Sequence, residues 1–402
     1  MQKSVRIAKC LSKYHCLMDK CSNDCCSKWA ISVDNATVEK WKKKAPQLLR
    51  LIEEKKDDNG KFEEWRMIKN ANRVCMAQKD GKCIIQMEHG EDMIPNLCGY
   101  FPHLYKNVCG TNYASINLAC PAVIKCLLKG GKDDWKFVDW KPNYEKKKIT
   151  TYDADEVGNF TYDECEDFFS EVLELFEDGK TNFDILLASF IKVIFEDYKL
   201  SLKQLRENIK YEFENAKKIL KSEYNKNKTK KGYSLFALLD SLYGIEGDSI
   251  NENLIAVMTT IKNELGVNDV NKISVADFES MVEKYDELLK IWKTTTGKTL
   301  QKILKNYLKC RMSQYMFPVI ETVLDDSKQS LSLMVFELLL VRLCLICHIK
   351  TKADLKNDEK IIHIVSVIGR IFHGSGTKTM FKSMSKYGWC DYQKLKDAIL
   401  YY

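Results

Sequence analysis

The sequence predicts a mainly α protein in which an irregular, cysteine-rich N-terminal module is followed by a multi-helix domain. Three observations support this prediction. Eleven of the 16 cysteines lie within the first 126 residues, and five of the six prolines precede residue 150. Beyond residue 160 the apolar residues recur at helical spacing, and helices can run long there because only Pro318 interrupts them.

Composition and turn signals divide the chain into three parts. Residues 1–129 form the cysteine-rich module, and residues 161–402 form the helical domain. Residues 130–160 are polar and turn-rich at both ends, with room for a short strand or two. We interpret them as a linker or an edge insertion.

The clearest helix prediction begins after Ser201. Leu205, Ile209 and Phe213 follow helical spacing, and Ser201 with Gln204 three residues later forms a capping box. Two polar stretches, residues 225–233 and 374–379, interrupt the helical pattern and are predicted to be exposed connections.

Residues 331–347 are apolar enough to raise the question of a membrane span. Glu337 and Arg342 lie within this stretch, and each charge would cost roughly 2.5 to 3.5 kcal/mol at the centre of a bilayer. We therefore predict a core helix with this charged pair at its edge, and no membrane span.

The overall composition is that of a soluble globular protein, with 45% hydrophobic and 30% charged residues among 402. The 63 basic and 56 acidic residues are interspersed and leave a net charge of only +7, so we expect no nucleic-acid partner. The first twenty residues contain no apolar run of the signal-peptide type. We therefore expect a cytoplasmic protein whose thiols are reduced.

Seven cysteines in turn-rich sequence form the candidate metal site. Soft thiolates gathered in a reducing compartment are the ligands that zinc or an iron–sulfur cluster requires. The spacing is not that of a zinc ribbon with two C-x2-C pairs. It also departs from the radical S-adenosylmethionine signature C-x3-C-x2-C, whose third position falls here on Lys28. The seven predicted ligands are Cys16, Cys21, Cys25, Cys26, Cys75, Cys83 and Cys98.

Most of the other cysteines are predicted to be free thiols that pack in the interior like small apolar side chains. These are Cys10, Cys126, Cys165, Cys310, Cys344, Cys347 and Cys390.

Several sequence blocks occur in a characteristic order along the chain. They are CLMDKCSNDCCSKWAISVD at residues 16–34, CMAQKDGKCIIQMEHGE at 75–91, CGYFP at 98–102 and SINLACP at 115–121. Weaker blocks follow in the helical part, namely LKNYL at 304–308, FP at 317–318 and RIFH at 370–373. Through these blocks the chain resembles the flagellin lysine-N-methylase family, part of a wider group named for its cysteine cluster.

The resemblance implies a methyltransferase that transfers methyl groups from S-adenosylmethionine to lysine side chains of flagellin or another lysine-bearing surface protein. It also implies an iron–sulfur cluster held by the seven cysteines named above, with Cys120 as a further candidate. A 4Fe–4S cluster needs only four ligands, so some of these are spare, and zinc is the alternative metal. The family tends to have arginine at position 103 and an acidic residue at position 372, where this chain has His103 and Phe372.

Polar methyl transfer requires a neutral lysine amine, whereas a free lysine with a pKa near 10.4 is almost fully protonated at pH 7. A site must therefore desolvate the amine or supply a general base. His373 beside Arg370 is the first candidate base, against the alternative that His373 interacts with the last carbonyls of a helix. The sequence contains no convincing glycine-rich strand-to-helix turn, so it does not locate the S-adenosylmethionine site.

Two other functions stay open at this point. A non-catalytic iron–sulfur or zinc protein with a helical interaction domain explains the cysteines equally well, but the ordered blocks in the helical part favour the methyltransferase. A zinc-stabilised nucleic-acid binder is the weakest alternative, because the charge is mild and distributed.

Overall fold

A computed structural model of the chain shows mostly helices, which confirms the mainly α prediction. The residues described are all except 1–4, 18–19, 22–24, 27–29, 109, 142–149, 153–161, 178–181, 198–201, 220–227, 246–251, 316–326, 373–374 and 402.

The N-terminal part has more regular structure than the irregular module that we expected. Short runs such as HLYKNV and TNYASI place apolar or aromatic side chains in strands that pair around a turn, which the dense cysteines and turn residues obscure in the sequence. The strands are β1 (Val5–Ala8), β2 (Ser32–Val33), β3 (Ile52–Lys56), β4 (Phe62–Met67), β5 (Gln78–Lys79), β6 (Lys82–Cys83), β7 (His103–Val108), β8 (Thr111–Ile116), β9 (Phe137–Trp140) and β10 (Thr150–Tyr152).

Five of these strands form one sheet in the order β10-β7-β8-β1-β9. β7 and β8 are an antiparallel hairpin in which His103 lies opposite Ile116, and β1 runs parallel to β8 and antiparallel to β9. Residues 130–160 thus supply the edge strands β9 and β10, one on each side of the sheet.

A second, smaller core holds the middle of the N-terminal part together. It contains the sheet β2-β4-β3 and the helices α2 (Asn35–Lys44), α3 (Ile84–His89) and α4 (Asn96–Tyr100). Asp34 caps α2 by accepting from the Thr37 amide at 3.0 Å, and it also accepts from the Asn96 amide at 3.2 Å. The buried Trp41 indole donates to the Met93 carbonyl at 2.7 Å. These bonds fix the segment that leads to Cys98.

The N-terminal part contains two other helices: α1 (Lys9–Ser12), which packs against β1 and β9, and α5 (Pro121–Lys129). The helical part follows with α6 (Tyr162–Leu175), α7 (Phe183–Asp197), α8 (Leu202–Ile219), α9 (Lys228–Tyr243), α10 (Glu252–Leu265), α11 (Val275–Ile291), α12 (Gly297–Tyr315), α13 (Ser327–His348), α14 (Lys352–Leu355), α15 (Asp358–Ile371), α16 (Ser375–Lys386) and α17 (Tyr392–Tyr401).

The apolar helix α13 lies in the centre of the core, as predicted. In the part of the chain that the structure describes, it is the one helix long and apolar enough to cross a membrane, and other parts of the protein bury it completely. Its two charges differ from our expectation of a pair at the edge. Glu337 and Arg342 are both buried and have separate partners: Glu337 binds Arg311, and Arg342 binds Asp184 at 2.9 Å. They stay in the core because each is neutralised there.

The predictions of two exposed connections were wrong for the described residues in them. α9 begins at Lys228 and α16 at Ser375, so both stretches run into helices. Gly232 lies inside α9, and a Cβ there would come within 2.3 Å of the Phe278 Cβ. This glycine permits α9 and α11 to pack closely, so it marks a helix contact and not a turn.

The helical part is joined to the sheet by α12. The buried Asn306 amide donates to the carbonyls of Leu127 at 2.8 Å and Gly130 at 3.1 Å, and its oxygen accepts from the Trp135 indole at 3.2 Å. Two helical turns further along α12, the Gln314 side-chain amide donates to the Ile116 carbonyl at the end of β8. The LKNYL block therefore contributes buried hydrogen bonds that join the helical part to the N-terminal part.

Candidate thiol and aromatic site

Five cysteines from three chain segments lie together on the small core. Cys75 is buried in that core, and Cys26, Cys83 and Cys98 pack against it. The Cys75 amide donates a hydrogen bond to the Cys26 carbonyl at 2.9 Å, and Cys98 interacts electrostatically with Cys25, Cys75 and Cys83. We refer to these five residues, Cys25, Cys26, Cys75, Cys83 and Cys98, as the thiol cluster.

Burial and mutual contact raise the pKa of three thiols of the cluster, Cys26, Cys75 and Cys98, above its usual range. Desolvation raises the pKa of Cys98 well above its usual range and also raises that of Cys75, with neighbouring thiols acting in the same direction. A hydrogen bond with Cys25, followed by burial, raises the pKa of Cys26. Only a bound cation would stabilise several thiolates here.

Three further cysteines, Cys16, Cys21 and Cys120, form a second group near Tyr14. The Cys120 thiol donates to the Tyr14 hydroxyl at 3.9 Å. Cys16 and Cys25 interact with the same phenol, and Cys21 interacts with Cys120. Burial raises the pKa of Cys120 to about 12 and raises that of Tyr14 as well. Tyr14 therefore connects this second group to Cys25 of the thiol cluster.

The donor set suits a soft metal centre by its chemistry, since sulfur ligands from distant segments meet on one core. Within the described ranges, however, no three histidine, cysteine or acidic side chains are arranged to hold a metal ion. The thiols would have to draw together around a metal. The metal-binding character of the N-terminal module therefore stays a prediction.

Four aromatic rings lie beside the second cysteine group, and we call Tyr14, His103, Tyr105 and Trp140 the ring cluster. The His103 ring centroid is 5.3 Å from that of Tyr14 in an edge-on contact and 4.9 Å from that of Trp140 in a stacked one. The Tyr105 ring is also stacked with the His103 ring, and their centroids are 6.2 Å apart. His103 and Tyr105 are buried, whereas Tyr14 and Trp140 are half-buried.

The His103 imidazole is poorly satisfied in this setting. The residue is 6% exposed, and neither ring nitrogen makes a hydrogen bond of ordinary geometry, although the backbone of Tyr100 interacts with the ring. Burial lowers the pKa of His103 to about 4. The ring is therefore neutral at pH 7, with one nitrogen able to accept a hydrogen bond.

Of the two predicted catalytic residues, His373 and Arg370, the structure describes only Arg370. Arg370 lies in the last turn of α15 and is 5% exposed. His373 lies outside the described residues. The role of His373 as a general base beside Arg370 stays a prediction.

The cysteines predicted to pack in the interior are buried or partly buried where the structure describes their side chains. Cys10, Cys310, Cys344 and Cys347 are buried, and Cys126 and Cys390 are partly buried. The side chain of Cys165 lies outside the described residues.

The sequence analysis missed a buried polar network between α12 and α13. The Tyr307 hydroxyl and the Arg311 guanidinium both donate to the Glu337 carboxylate, and Arg311 also donates to Gln314 at 2.5 Å. Burial raises the pKa of Glu337 although Arg311 acts against this shift. The sequence carries two signals for it: a glutamate within an apolar run, and the tyrosine of the LKNYL block.

Comparison with known proteins connects these features to one family. The sequence profile of the FliB lysine N-methylase C-terminal domain matches residues 162–389, more than half of the chain. The chain is 27% identical over 126 residues to the flagellar biosynthetic protein FliU of Salmonella muenchen. The aligned region covers 29% of this chain and 73% of that protein.

Two lysine-N-methylases give similar matches. Those of Salmonella typhimurium and Salmonella choleraesuis are each 26% identical over 126 residues, covering 29% of this chain and only 31% of their own length. No solved structure matches the chain.

Proposed function

The chain belongs to the FliB lysine N-methylase family, and from this premise we propose that it is a protein-lysine N-methyltransferase. The family match across the helical part carries the proposal. It is supported by two similar proteins named lysine-N-methylase. The cysteine blocks add support because the fold gathers five of their thiols in one place, as a shared function of those blocks requires.

We propose S-adenosylmethionine as the methyl donor. When bound, it would supply an electrophilic methyl group on a sulfonium. The neutral lysine nitrogen would form the new N–C bond as the sulfur–methyl bond breaks, S-adenosylhomocysteine would leave, and the ammonium proton would pass to a general base or to solvent. A buried or partly buried binding site lowers the cost of that deprotonation by desolvating the ammonium. The reaction belongs in the cytoplasm, where the thiols stay reduced.

We further propose that the cysteines hold an iron–sulfur cluster, with zinc as the alternative metal. The thiol cluster supplies the ligands most directly: Cys75, Cys83 and Cys98 together with Cys25 or Cys26. Four sulfur ligands suffice, which leaves Cys16, Cys21 and Cys120 as the spare group around Tyr14. A bound iron–sulfur cluster supplies one-electron chemistry or an anchor for the cofactor.

The proposed substrate is flagellin or a similar lysine-bearing surface protein. The support is that one similar protein is named a flagellar biosynthetic protein. Solvent-exposed lysines of a filament protein are also sterically available to a separate enzyme, whereas buried lysines are not.

Anaerobic purification followed by iron, sulfide and zinc analysis tests the cofactor proposal. We expect about four irons and four sulfides per chain with a brown absorption band. Cys83→Ser with Cys98→Ser should remove this metal, whereas the matched pair Cys344→Ser with Cys347→Ser, in buried α13, should not. Zinc alone, or no metal, would overturn the iron–sulfur assignment.

Mass spectrometry of flagellin incubated with the purified protein and S-adenosylmethionine tests the activity. We expect mass increases of 14 Da or its multiples on lysines, absent without the donor. A metal-loaded protein that methylates neither flagellin nor other surface proteins would favour the non-catalytic metal protein instead.

A further inference from the structure

The ring cluster has the chemistry of a cation-binding site. Aromatic faces attract ammonium groups, tryptophan most strongly, and clusters of aromatic rings bind methylated ammonium ions in known proteins. Tyr14 and Trp140 are half-buried and so provide ring surface within reach of solvent, while His103 and Tyr105 form the buried base of the cluster. The rings come from three places in the chain: the segment after α1, strand β7 and strand β9.

His103 adds a hydrogen-bond acceptor to these rings. A buried polar atom without a hydrogen bond typically costs about 1 to 3 kcal/mol, and such atoms in native proteins call for an explanation. A ligand ammonium that donates to the imidazole would remove this cost. A neutral imidazole, as the lowered pKa of His103 implies, does not repel a cation.

The position of the cluster connects it to the cysteines. Tyr14 belongs to the ring cluster and also accepts a hydrogen bond from Cys120, while Cys16 and Cys25 interact with its phenol. A lysine side chain bound on these rings would therefore end next to the cysteine-rich region that the family shares.

We propose that the ring cluster of Tyr14, His103, Tyr105 and Trp140 binds the ε-ammonium of the substrate lysine, and its methylated products, with His103 accepting one N–H hydrogen bond. The assignment to a substrate lysine rests on the proposed methyltransferase function. His103 and Trp140 are substrate-binding residues in this proposal.

Equilibrium binding distinguishes the attraction between the rings and a cation from the hydrogen bond to His103, without any need for turnover. The probes are three otherwise identical short peptides whose central residue is lysine, trimethyllysine or the uncharged norleucine, titrated into the full-length protein by calorimetry. We expect lysine and trimethyllysine peptides to bind and the norleucine peptide to bind much more weakly. Equal binding of all three would overturn the proposal.

Two variants and a matched control assign the binding to the cluster. Trp140→Leu should weaken both cationic peptides roughly three- to thirty-fold, the range expected for one cation–π contact. His103→Phe keeps a ring but removes the acceptor, so it should weaken only the lysine peptide, because trimethyllysine has no N–H to donate. Trp65→Leu is the control, since Trp65 is also half-buried but lies in the other sheet, 5.4 Å from Phe62.

The outcomes distinguish the site from the function. Lysine methylation with unchanged peptide affinity in Trp140→Leu would overturn the ring-cluster site and leave the methyltransferase intact. Cation-selective binding that Trp140→Leu weakens, in a protein that methylates nothing, would support the site and overturn the methyltransferase. A folded Trp65→Leu protein with the same loss as Trp140→Leu would show a nonspecific effect and overturn the assignment.

Discussion

Gly369 of α15 lies directly against the Leu118 carbonyl, so close that a Cβ at position 369 would come within 2.5 Å of that oxygen. Leu118 belongs to the SINLACP block, which also holds Cys120, and Gly369 immediately precedes the RIFH block. The SINLACP block is therefore in contact with the residue just before the RIFH block, some 250 residues further along the chain. Only glycine permits this approach, because the obstacle is backbone and cannot rotate away.

We expect Gly369→Ala to lower the free energy of unfolding, because overpacking usually costs about 1 to 3 kcal/mol. The higher helix propensity of alanine offsets up to about 1 kcal/mol of this loss. Urea denaturation measures the change. Gly131→Ala is the control, because a Cβ there would meet its nearest atom only at 3.7 Å. Equal stability of the two variants would contradict the close contact.

Asn306→Ala should destabilise the joint between the sheet and the helices. The substitution removes two donors and one acceptor and leaves the Leu127 and Gly130 carbonyls and the Trp135 indole without this partner in a buried place. We expect a loss of at least about 1 to 3 kcal/mol in thermal or urea unfolding. Asn215→Ala, which removes a bond from an exposed amide to the Tyr211 carbonyl, should change stability by less than about 0.5 kcal/mol.

Removing Glu337 alone should be more costly than removing it together with Arg311. Glu337→Leu leaves the Arg311 guanidinium buried beside an apolar side chain, with an expected loss of about 3 to 5 kcal/mol. Combining it with Arg311→Met removes both charges, and we expect the double variant to recover much of the loss. A double variant as unstable as the sum of the two single variants would show that the ion pair is not the source of the effect.

His103 should make stability depend on pH between about 4 and 6.5. The unfolded chain binds a proton at this residue below its ordinary pKa of about 6.5, whereas the folded chain binds it only below about 4. The contribution to folding is therefore fully present above pH 6.5 and is lost as the pH falls toward 4.

We expect His103→Phe to flatten this part of the stability profile. The difference between wild type and variant should change by up to about 3 kcal/mol from pH 7 to pH 4, measured by urea unfolding at each pH. A difference that is constant with pH would mean that His103 titrates normally in the folded protein.

The helices of the C-terminal part could be predicted because their pattern is local. Apolar residues every three or four positions predict α8 and α11, and a continuous apolar run predicts the buried helix α13. Gly232 shows the limit of such patterns. It reads as a turn signal, but the neighbour that requires it, Phe278, is 46 positions away.

The sequence by itself determined the helical class, the family-like blocks and the chemistry of the donor set, since residue type and spacing are local properties. The tertiary structure decided which distant groups meet: Cys25 with Cys75 and Cys98, Tyr14 with His103, and Glu337 with Arg311 instead of its helix neighbour Arg342. These contacts depend on strand order and helix packing over long separations. Side-chain partners inside a close-packed core follow from that packing and not from spacing along the chain.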